Sequence, residues 1–378
     1  MGTQKKIMVV LGTRPEAIKL APVISALNED STFTTVVLAT AQHRNMLDQV
    51  LSLFRISPDY DLNIMTENQQ LTEVTGKGLH GVDEVLKKER PDMVLVQGDT
   101  TTVFAASLAA YYNRIPVGHV EAGLRTADKY SPFPEEMNRR LATVLADLHF
   151  APTEWARKNL VLEGVPEERI VVTGNTIVDA LMGIPATSFY AGEEFPRIST
   201  FLRSVPKVIL VTAHRRENFG QPFKEMCAAM RELVDRNADV GIIYPVHPNP
   251  NVRSTVSMAM GQHPRILLVE PLDYITFINL IRCAYLILTD SGGVQEEAPS
   301  FKKPVLIMRE NTERPEGVNA GVARLVGTRK EMIVAEVTKL LKSEHEYAMM
   351  AKGINPFGDG KAAARIVGAI KEFLAPFN

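Results

Sequence analysis

Cysteine is nearly absent. Cys227 and Cys283 are the two in 378 residues, and neither belongs to a CxxC spacing, so neither a disulfide framework nor a thiolate zinc site organises this chain. Long apolar runs are missing as well: nothing approaches the roughly 20 residues that span a bilayer, and no membrane association is expected. The first residues, MGTQKKIMVV, lack the apolar block and small-residue cleavage site of a secretory signal. Myristoylation is disfavoured because Lys6 stands where that motif requires Ser or Thr. The expected compartment is the cytoplasm. Lys and Arg number 42 against 44 Asp and Glu, a formal charge of −2 with no basic run, which leaves no electrostatic footprint for a nucleic acid.

What the chain has is apolar content of 45% over a length that suits two domains. A buried-type strand, Met8 to Leu11, runs through Gly12-Thr13-Arg14-Pro15 into a helix with apolar residues at Ile18, Ala21, Val23, Ile24 and Leu27. Pro15 suits a first helical position, where its missing N–H costs nothing. Strands follow at 34–40, 93–98 and 115–121, separated by segments of helical period. The alternation restarts at 207–220, again a strand, a polar turn and a helix, and continues through 240–247, 266–270, 285–293 and 304–308. Strands that are apolar throughout and alternate with helices imply parallel sheets covered on both faces. The reading is α/β, with two Rossmann-like, doubly wound domains at 1–175 and 207–360. Between them, 176–206 lacks strands and is punctuated by Pro185, Pro196 and Pro206.

The most informative stretch is 286-LILTDSGGVQEEAPS-300. An apolar run that breaks at Gly292-Gly293 into a helix start aims unpaired N–H groups at one spot, an anion site. Without side chains there, a diphosphate can touch the backbone, and Gln295, Glu296 and Glu297 lie within a turn as acceptors for ribose hydroxyls. The alternative is a tight strand-to-helix turn with no ligand.

Ligands of open α/β sheets sit outside the carboxyl ends of the strands, so the polar residues at those ends are the candidates for chemistry. Asp99 and Glu121 each end a strand, and Glu135 opens a helix after Pro132 and Pro134. Singly, each reads as a cap or a solvated turn residue; together they suit proton transfer, which needs one acid ionised and another protonated. Glu135 and Arg139 are spaced i, i+4 and are expected to share a helix face and pair. Cations stand at Arg14 and Lys19 around the first helix start, at His214, Arg215 and Arg216 around the second, and at Arg314. Arg suits bidentate phosphate contacts. LGTRPE lacks GxGxxG after the first strand, so NAD is not expected.

GTRPE at 12–16, QGDTTT at 97–102, HVEAGLRT at 119–126, PFPEEMNR at 132–139, TAHRREN at 212–218, DSGGVQEE at 290–297 and ERPEG at 313–317 occur in that order. Across nearly its whole length the chain resembles the non-hydrolysing UDP-N-acetylglucosamine 2-epimerases. The resemblance implies a GT-B architecture, two domains facing across a deep cleft that holds the active site, a homodimer, and a C-terminal helix within 361–378 that packs back onto the first domain. It implies a reaction without NAD or metal: UDP leaves C1 as the C2 proton is removed, and UDP re-adds to the 2-acetamidoglucal with the proton delivered to the opposite face. The product, UDP-N-acetylmannosamine, would supply cell-surface polysaccharide synthesis. By the same resemblance Asp99, Glu121 and Glu135 match the acid/base carboxylates, and His214 a histidine near the diphosphate. Arg14, Lys19, Arg139, Ser291, Gly292, Glu297 and Arg314 match positions that hold nucleotide and sugar, Glu297 as ribose partner, and Phe277 resembles the residue that packs on uracil. Gln42, His43, Arg215 and His247 match an allosteric site for a second UDP-N-acetylglucosamine. Asn45 and Asn68 stand where activated members are expected to carry Gln and Arg, which removes a strong donor. A GT-B glycosyltransferase and a non-catalytic sugar-nucleotide sensor are the rival readings; the sensor would dispense with the three acids.

Overall fold

The structure, a computed structural model, describes residues 4–40, 44–64, 69–126, 128–184 and 194–375. The chain forms two compact units, one of 1–182 with 357–378 and the other of 183–356.

The first unit is built on β1 (Lys5–Leu11), β2 (Phe33–Ala39), β3 (Tyr60–Asp61), β4 (Met93–Gln97), β5 (Val117–Val120), β6 (Leu148–Ala151) and β7 (Ile170–Val172). They form one sheet in the order β3-β2-β1-β4-β5-β6-β7, every pair parallel. A parallel sheet buries both faces, which is why β1 and β4 read as unbroken apolar runs. Met8, Val10, Val94 and Val96 pack with Val103, Ala106 and Ala110 of the helix Thr101–Tyr112 and with Val82 and Leu86 of the helix Leu71–Glu89.

The second unit repeats the plan with β8 (Lys207–Thr212), β9 (Val240–Pro245), β10 (Ile266–Val269), β11 (Leu286–Thr289), β12 (Val305–Ile307) and β13 (Ala323–Leu325), ordered β10-β9-β8-β11-β12-β13 and parallel throughout. The fold class is therefore doubly wound α/β in both units. Each order reverses direction once, between β1 and β4 and between β8 and β11. Those are the two topological switch points, outside whose carboxyl ends ligands of such sheets bind.

Among the described residues of 176–206 there are two helices and no strand. Thr176–Gly183 ends at the edge of the first unit, and Phe195–Ser204 lies in the second, with Ile198 and Phe201 buried. The chain returns to the first unit at Phe357, four residues before the predicted return at 361. There the carbonyl of Phe357 accepts from Asn175 N–H at 2.6 Å, and the Asp179 carboxylate accepts from Ala363 N–H at 2.9 Å. The helix Ala362–Phe373 then packs on Arg14–Glu29. No helix among the described residues is long and apolar enough to cross a membrane.

Candidate active site

At the first switch point the β1–helix turn is already filled. Glu16 is 2% exposed, and its carboxylate accepts from the N–H groups of Gly12 at 2.7 Å and Thr13 at 2.6 Å. It also accepts from the hydroxyl of Thr100, the N-cap of the helix Thr101–Tyr112. A side-chain carboxyl thus occupies the place a phosphate takes in many βα turns, and it ties the GTRPE turn to the QGDTTT turn. Gly12 makes this approach feasible, since a Cβ there would collide with the hydroxyls of Thr40 and Thr102. Arg14 opens the helix and is half-buried.

The acids stand next to this turn. Glu121 directly follows β5, is 9% exposed and has a left-handed φ of +65°. One carboxylate oxygen accepts from Lys19 Nζ at 2.6 Å, with Asn175 Nδ2 3.4 Å away, and the other accepts from the amide of Gln97. The β4–β5 register sets Gln97 beside Val120, so the last residue of one strand reaches the first residue beyond its neighbour. Asp99, two residues past β4, binds Arg139 Nη2 at 2.5 Å through its carboxylate and accepts from Asn138 Nδ2 at 3.0 Å through its carbonyl. Buried His119 donates from Nε2 to the Gly98 carbonyl at 2.7 Å; burial pushes its pKa down to about 4, so the ring is neutral.

The i, i+4 pairing expected of Glu135 and Arg139 does not form. Arg139 turns inward to Asp99 and lies 3.4 Å from Glu136, while Glu135 is half-buried and has no ion pair among the described residues. The fully buried acid is Glu136, which accepts from Arg140 Nε at 2.8 Å and from the backbone N–H of Thr126 at 3.0 Å. It braces the loop that carries the chain from Glu121 to Glu135. The reason is register: Glu136 and Arg139 face the sheet side of the helix Glu135–Leu145, along with Asn138, Ala142 and Thr143. Lys19, which the resemblance places among the nucleotide and sugar contacts, pairs with Glu121 at 2.6 Å.

At the second switch point, Asp290 directly follows β11 and has no exposure. One of its oxygens accepts from the N–H groups of His214 at 2.9 Å and Arg215 at 2.8 Å and from Asn218 Nδ2 at 3.2 Å. Asp290 is therefore the brace that folds the TAHRREN turn against the DSGG turn. The His214 ring stacks on exposed His247 at 5.1 Å and 11°. Burial lowers its pKa, and Asp290, 3.8 Å from Nδ1, opposes that only in part.

Gly292 begins a six-residue helix, Gly292–Glu297, behind Ser291, whose N–H donates to Thr289 Oγ1 at 2.9 Å. A Cβ at Gly292 would stand 2.5 Å from Arg314 Nη1, whereas one at Gly293 would meet nothing nearer than 3.9 Å. Glycine at 292 is what admits the Arg314 guanidinium. Arg314 donates to Glu296 at 2.6 Å and to Glu313 at 2.6 Å. Burial alone would raise the Glu313 pKa, but Arg314, Arg309 and Arg215 outweigh it and hold the carboxyl down at about 2. Of the three ribose acceptors expected from sequence, Gln295 is engaged by Thr312 at 2.7 Å and Glu296 by Arg314. Glu297, 8% exposed, accepts from the Tyr274 hydroxyl at 3.2 Å. Arg215 lies 3.6 Å from Glu313, and Phe277 is half-buried on the helix Tyr274–Cys283. Gln42, His43 and Asn68 lie outside the described residues. Among the described residues no cluster of His, Cys, Asp and Glu suits a metal ion.

Glu16, Gln97, His119, Glu136, Asn175 and Asp290 are site-forming residues that the sequence does not single out. The one available signal for Glu16 is the Thr-x-x-Glu capping-box spacing at a strand-to-helix turn.

Comparison with known proteins identifies the family. The family model for UDP-N-acetylglucosamine 2-epimerase matches residues 25–371. The UDP-N-acetylglucosamine 2-epimerase of Salmonella typhimurium is 55% identical over 371 residues, 97% of this chain and 99% of that protein. Among solved structures, S. aureus MnaA with UDP superposes with a TM-score of 0.90 at 49% identity, covering 98% of this chain and 97% of that one. The UDP-GlcNAc 2-epimerase of Neisseria meningitidis, bound to UDP-GlcNAc, gives 0.88 at 47%, covering 97% and 100%. The chain belongs to the UDP-N-acetylglucosamine 2-epimerase family and is an isomerase.

Proposed function

We propose that the chain interconverts UDP-N-acetylglucosamine and UDP-N-acetylmannosamine by elimination and re-addition of UDP. The C2 hydrogen of the sugar is not α to a carbonyl, so removing it alone would leave a very costly carbanion. Elimination avoids that species. A carboxylate takes the C2 proton, the C–H electron pair forms the C1=C2 double bond, and the C1–O pair departs with the β-phosphate of UDP. In the return step a diphosphate oxygen attacks C1 and the proton is delivered to the opposite face of C2; the elimination is anti and the re-addition syn.

The observation that carries this reading is the pair of strand-end carboxylates in the first unit, Asp99 and Glu121, each held on a buried or half-buried cation. A surface cap needs no such partner, and a sugar-nucleotide sensor needs no acids at all. Glu135, without an ion pair among the described residues, is the third candidate for proton transfer. Which of the three serves as base and which as acid is left to their pH profiles. In the second unit, the Ser291-Gly292-Gly293 turn, Arg314 and His214 are the groups for the diphosphate. His214 offers a hydrogen bond more than a charge, because burial favours its neutral form near pH 7. Such donors stabilise the charge that grows on UDP as the C1–O bond breaks. Glu297 and Phe277 are proposed for ribose and uracil. The same reading makes the protein a cytoplasmic homodimer working without NAD or metal, with Arg215 and His247 in a second, activating sugar-nucleotide site and polysaccharide synthesis downstream.

Incubation with UDP-N-acetylglucosamine in D₂O tests the core of it. UDP-N-acetylmannosamine labelled at C2 is the expected product, with label also in recovered substrate. Turnover that leaves C2 unlabelled would exclude proton removal, and free N-acetylmannosamine would make the chain a hydrolase. Gly292→Ala probes the second unit: its methyl displaces a flexible guanidinium and not backbone, so folding is retained. UDP affinity should fall roughly tenfold, the scale of one charge-assisted contact; unchanged affinity in calorimetry would remove Arg314 from the diphosphate set.

A further inference from the structure

We propose that Gln97 is a positioning residue for Glu121, holding that carboxylate in one rotamer and in its ionised form; the inference rests on reading Glu121 as an acid/base group. Gln97 is the last residue of β4 and is 2% exposed. A buried primary amide is costly unless it is bonded, and the partner its Nε2 finds is a Glu121 oxygen. The geometry leaves little choice. Glu121 sits at φ +65°, an uncommon backbone for a residue with a side chain. That backbone turns the side chain off the strand alternation of β5, and the β4–β5 register brings Gln97 alongside. Lys19 holds one oxygen while Gln97 holds the other, so rotation of the carboxylate breaks at least one of these bonds.

The amide and the ammonium act in the same direction. Both donate, and donors favour the charged form of a carboxyl, lowering its pKa. The remaining titratable groups around this strand end oppose it little. Glu16, on the helix of Lys19, is turned to the Gly12 and Thr13 N–H groups and to Thr100. Asp99 is neutralised by Arg139. His119 on β5 and His149, its register partner on β6, are buried and uncharged near neutrality. Glu121 is thereby held in the orientation that the fixed oxygens dictate, with a donor on each oxygen.

The test is the pH dependence of kcat for C2 deuterium exchange in the intact protein. Gln97→Ala removes a donor, so the Glu121 pKa rises and the acidic limb should move up by about one unit. The rate would fall roughly tenfold below the limb and recover above it, with KM and UDP affinity unchanged. Gln97→Glu keeps the shape but sets a second carboxyl against the first, so the two share a proton and the limb should move further in the same direction. It also guards against misfolding of the smaller variant. Equal losses at all pH values, or a raised KM with the limb in place, would overturn the proposal by showing that Gln97 only packs. Glu121→Gln is assayed alongside: if it turns over normally, the reading of Glu121 itself fails, whereas a dead Glu121→Gln with an unshifted Gln97 series sinks the positioning role alone.

Discussion

Asp99→Asn and Glu121→Gln should each reduce exchange of solvent deuterium into C2 by about 10³-fold or more while UDP still binds. The size follows from what a positioned acid or base contributes, typically about 10²–10⁴. An amide of the same shape accepts and donates hydrogen bonds but takes up no proton near neutral pH, so its effect falls on kcat and not on ground-state binding. UDP affinity is the internal control, because the groups proposed for the diphosphate lie in the second unit, which has its own sheet and core. Stability must be followed as well. Breaking one side of a buried ion pair costs about 3–5 kcal/mol when nothing replaces it. Here the loss is smaller on both sides. The amide introduced by Asp99→Asn would still present a carbonyl to Arg139, which keeps Glu136 at 3.4 Å, and the amide introduced by Glu121→Gln would still present one to Lys19. A circular dichroism melt shows whether each variant is folded at the assay temperature. Exchange at the wild-type rate in either folded variant would strike that residue from the proton-transfer set.

The parts of this molecule that the sequence disclosed are those encoded locally. A run such as Met8-Val9-Val10-Leu11 ending in Gly-Thr-Arg-Pro carries its own strand, turn and helix start, and the structure has β1 and the helix Arg14–Glu29 there. The glycine at 292 was legible as a close approach, although only the fold reveals that a guanidinium crowds it; that threonine hydroxyls crowd Gly12 was not legible at all. Pairing between strand ends was not legible. Whether Arg139 turns to Glu135 or to Asp99 depends on how the helix Glu135–Leu145 is rotated against the sheet, and i, i+4 spacing is silent about that. Spacing identified the wrong partner because an exposed pair is worth only tenths of a kcal/mol, too little to govern a helix whose buried face is set by Ala142 and Thr143. Glu16 was hidden for the same reason: its third acceptor contact is 84 residues away, at Thr100. Gln97 opens the QGDTTT motif but carries no role that the sequence discloses, and Asn175 lies in none of the motifs; only the register of β4 against β5 and the return of the chain at Phe357 bring them to Glu121 and its neighbourhood.

The same buried layer predicts how the protein responds to acid. His119 and His149 stand opposite each other on β5 and β6, nearly without exposure, and burial pushes their pKa values down to about 4 and about 3. The unfolded chain takes up these protons near pH 6.5. Between about 6.5 and about 4 the unfolded state therefore binds more protons than the folded one, and stability falls as pH falls. At pH 4 the loss is about 3 kcal/mol from each ring, since every pH unit crossed in that window costs about 1.4 kcal/mol, and together that rivals the whole stability of an ordinary domain. Glu16 and Asp179 act in the opposite sense, since burial raises both carboxyls and their protonation favours the fold. Glu313, held at about 2, loses its contribution from about pH 4.5 down to about 2, so it overlaps only the lower end of the range in which the histidines act. In the second unit His214 and His263 are also lowered, but both are more exposed than the pair on β5 and β6. The first unit should consequently melt earlier as pH drops from about 6.5 to about 4. A His149→Gln variant, which does not disturb the Gly98 contact of His119, should lose about half of that slope. Urea titrations at half-unit steps of pH measure it directly. Identical slopes for wild type and His149→Gln would show that the rings take up no extra protons on unfolding, and a slope that steepens below about pH 4 instead would assign acid unfolding to the carboxylates.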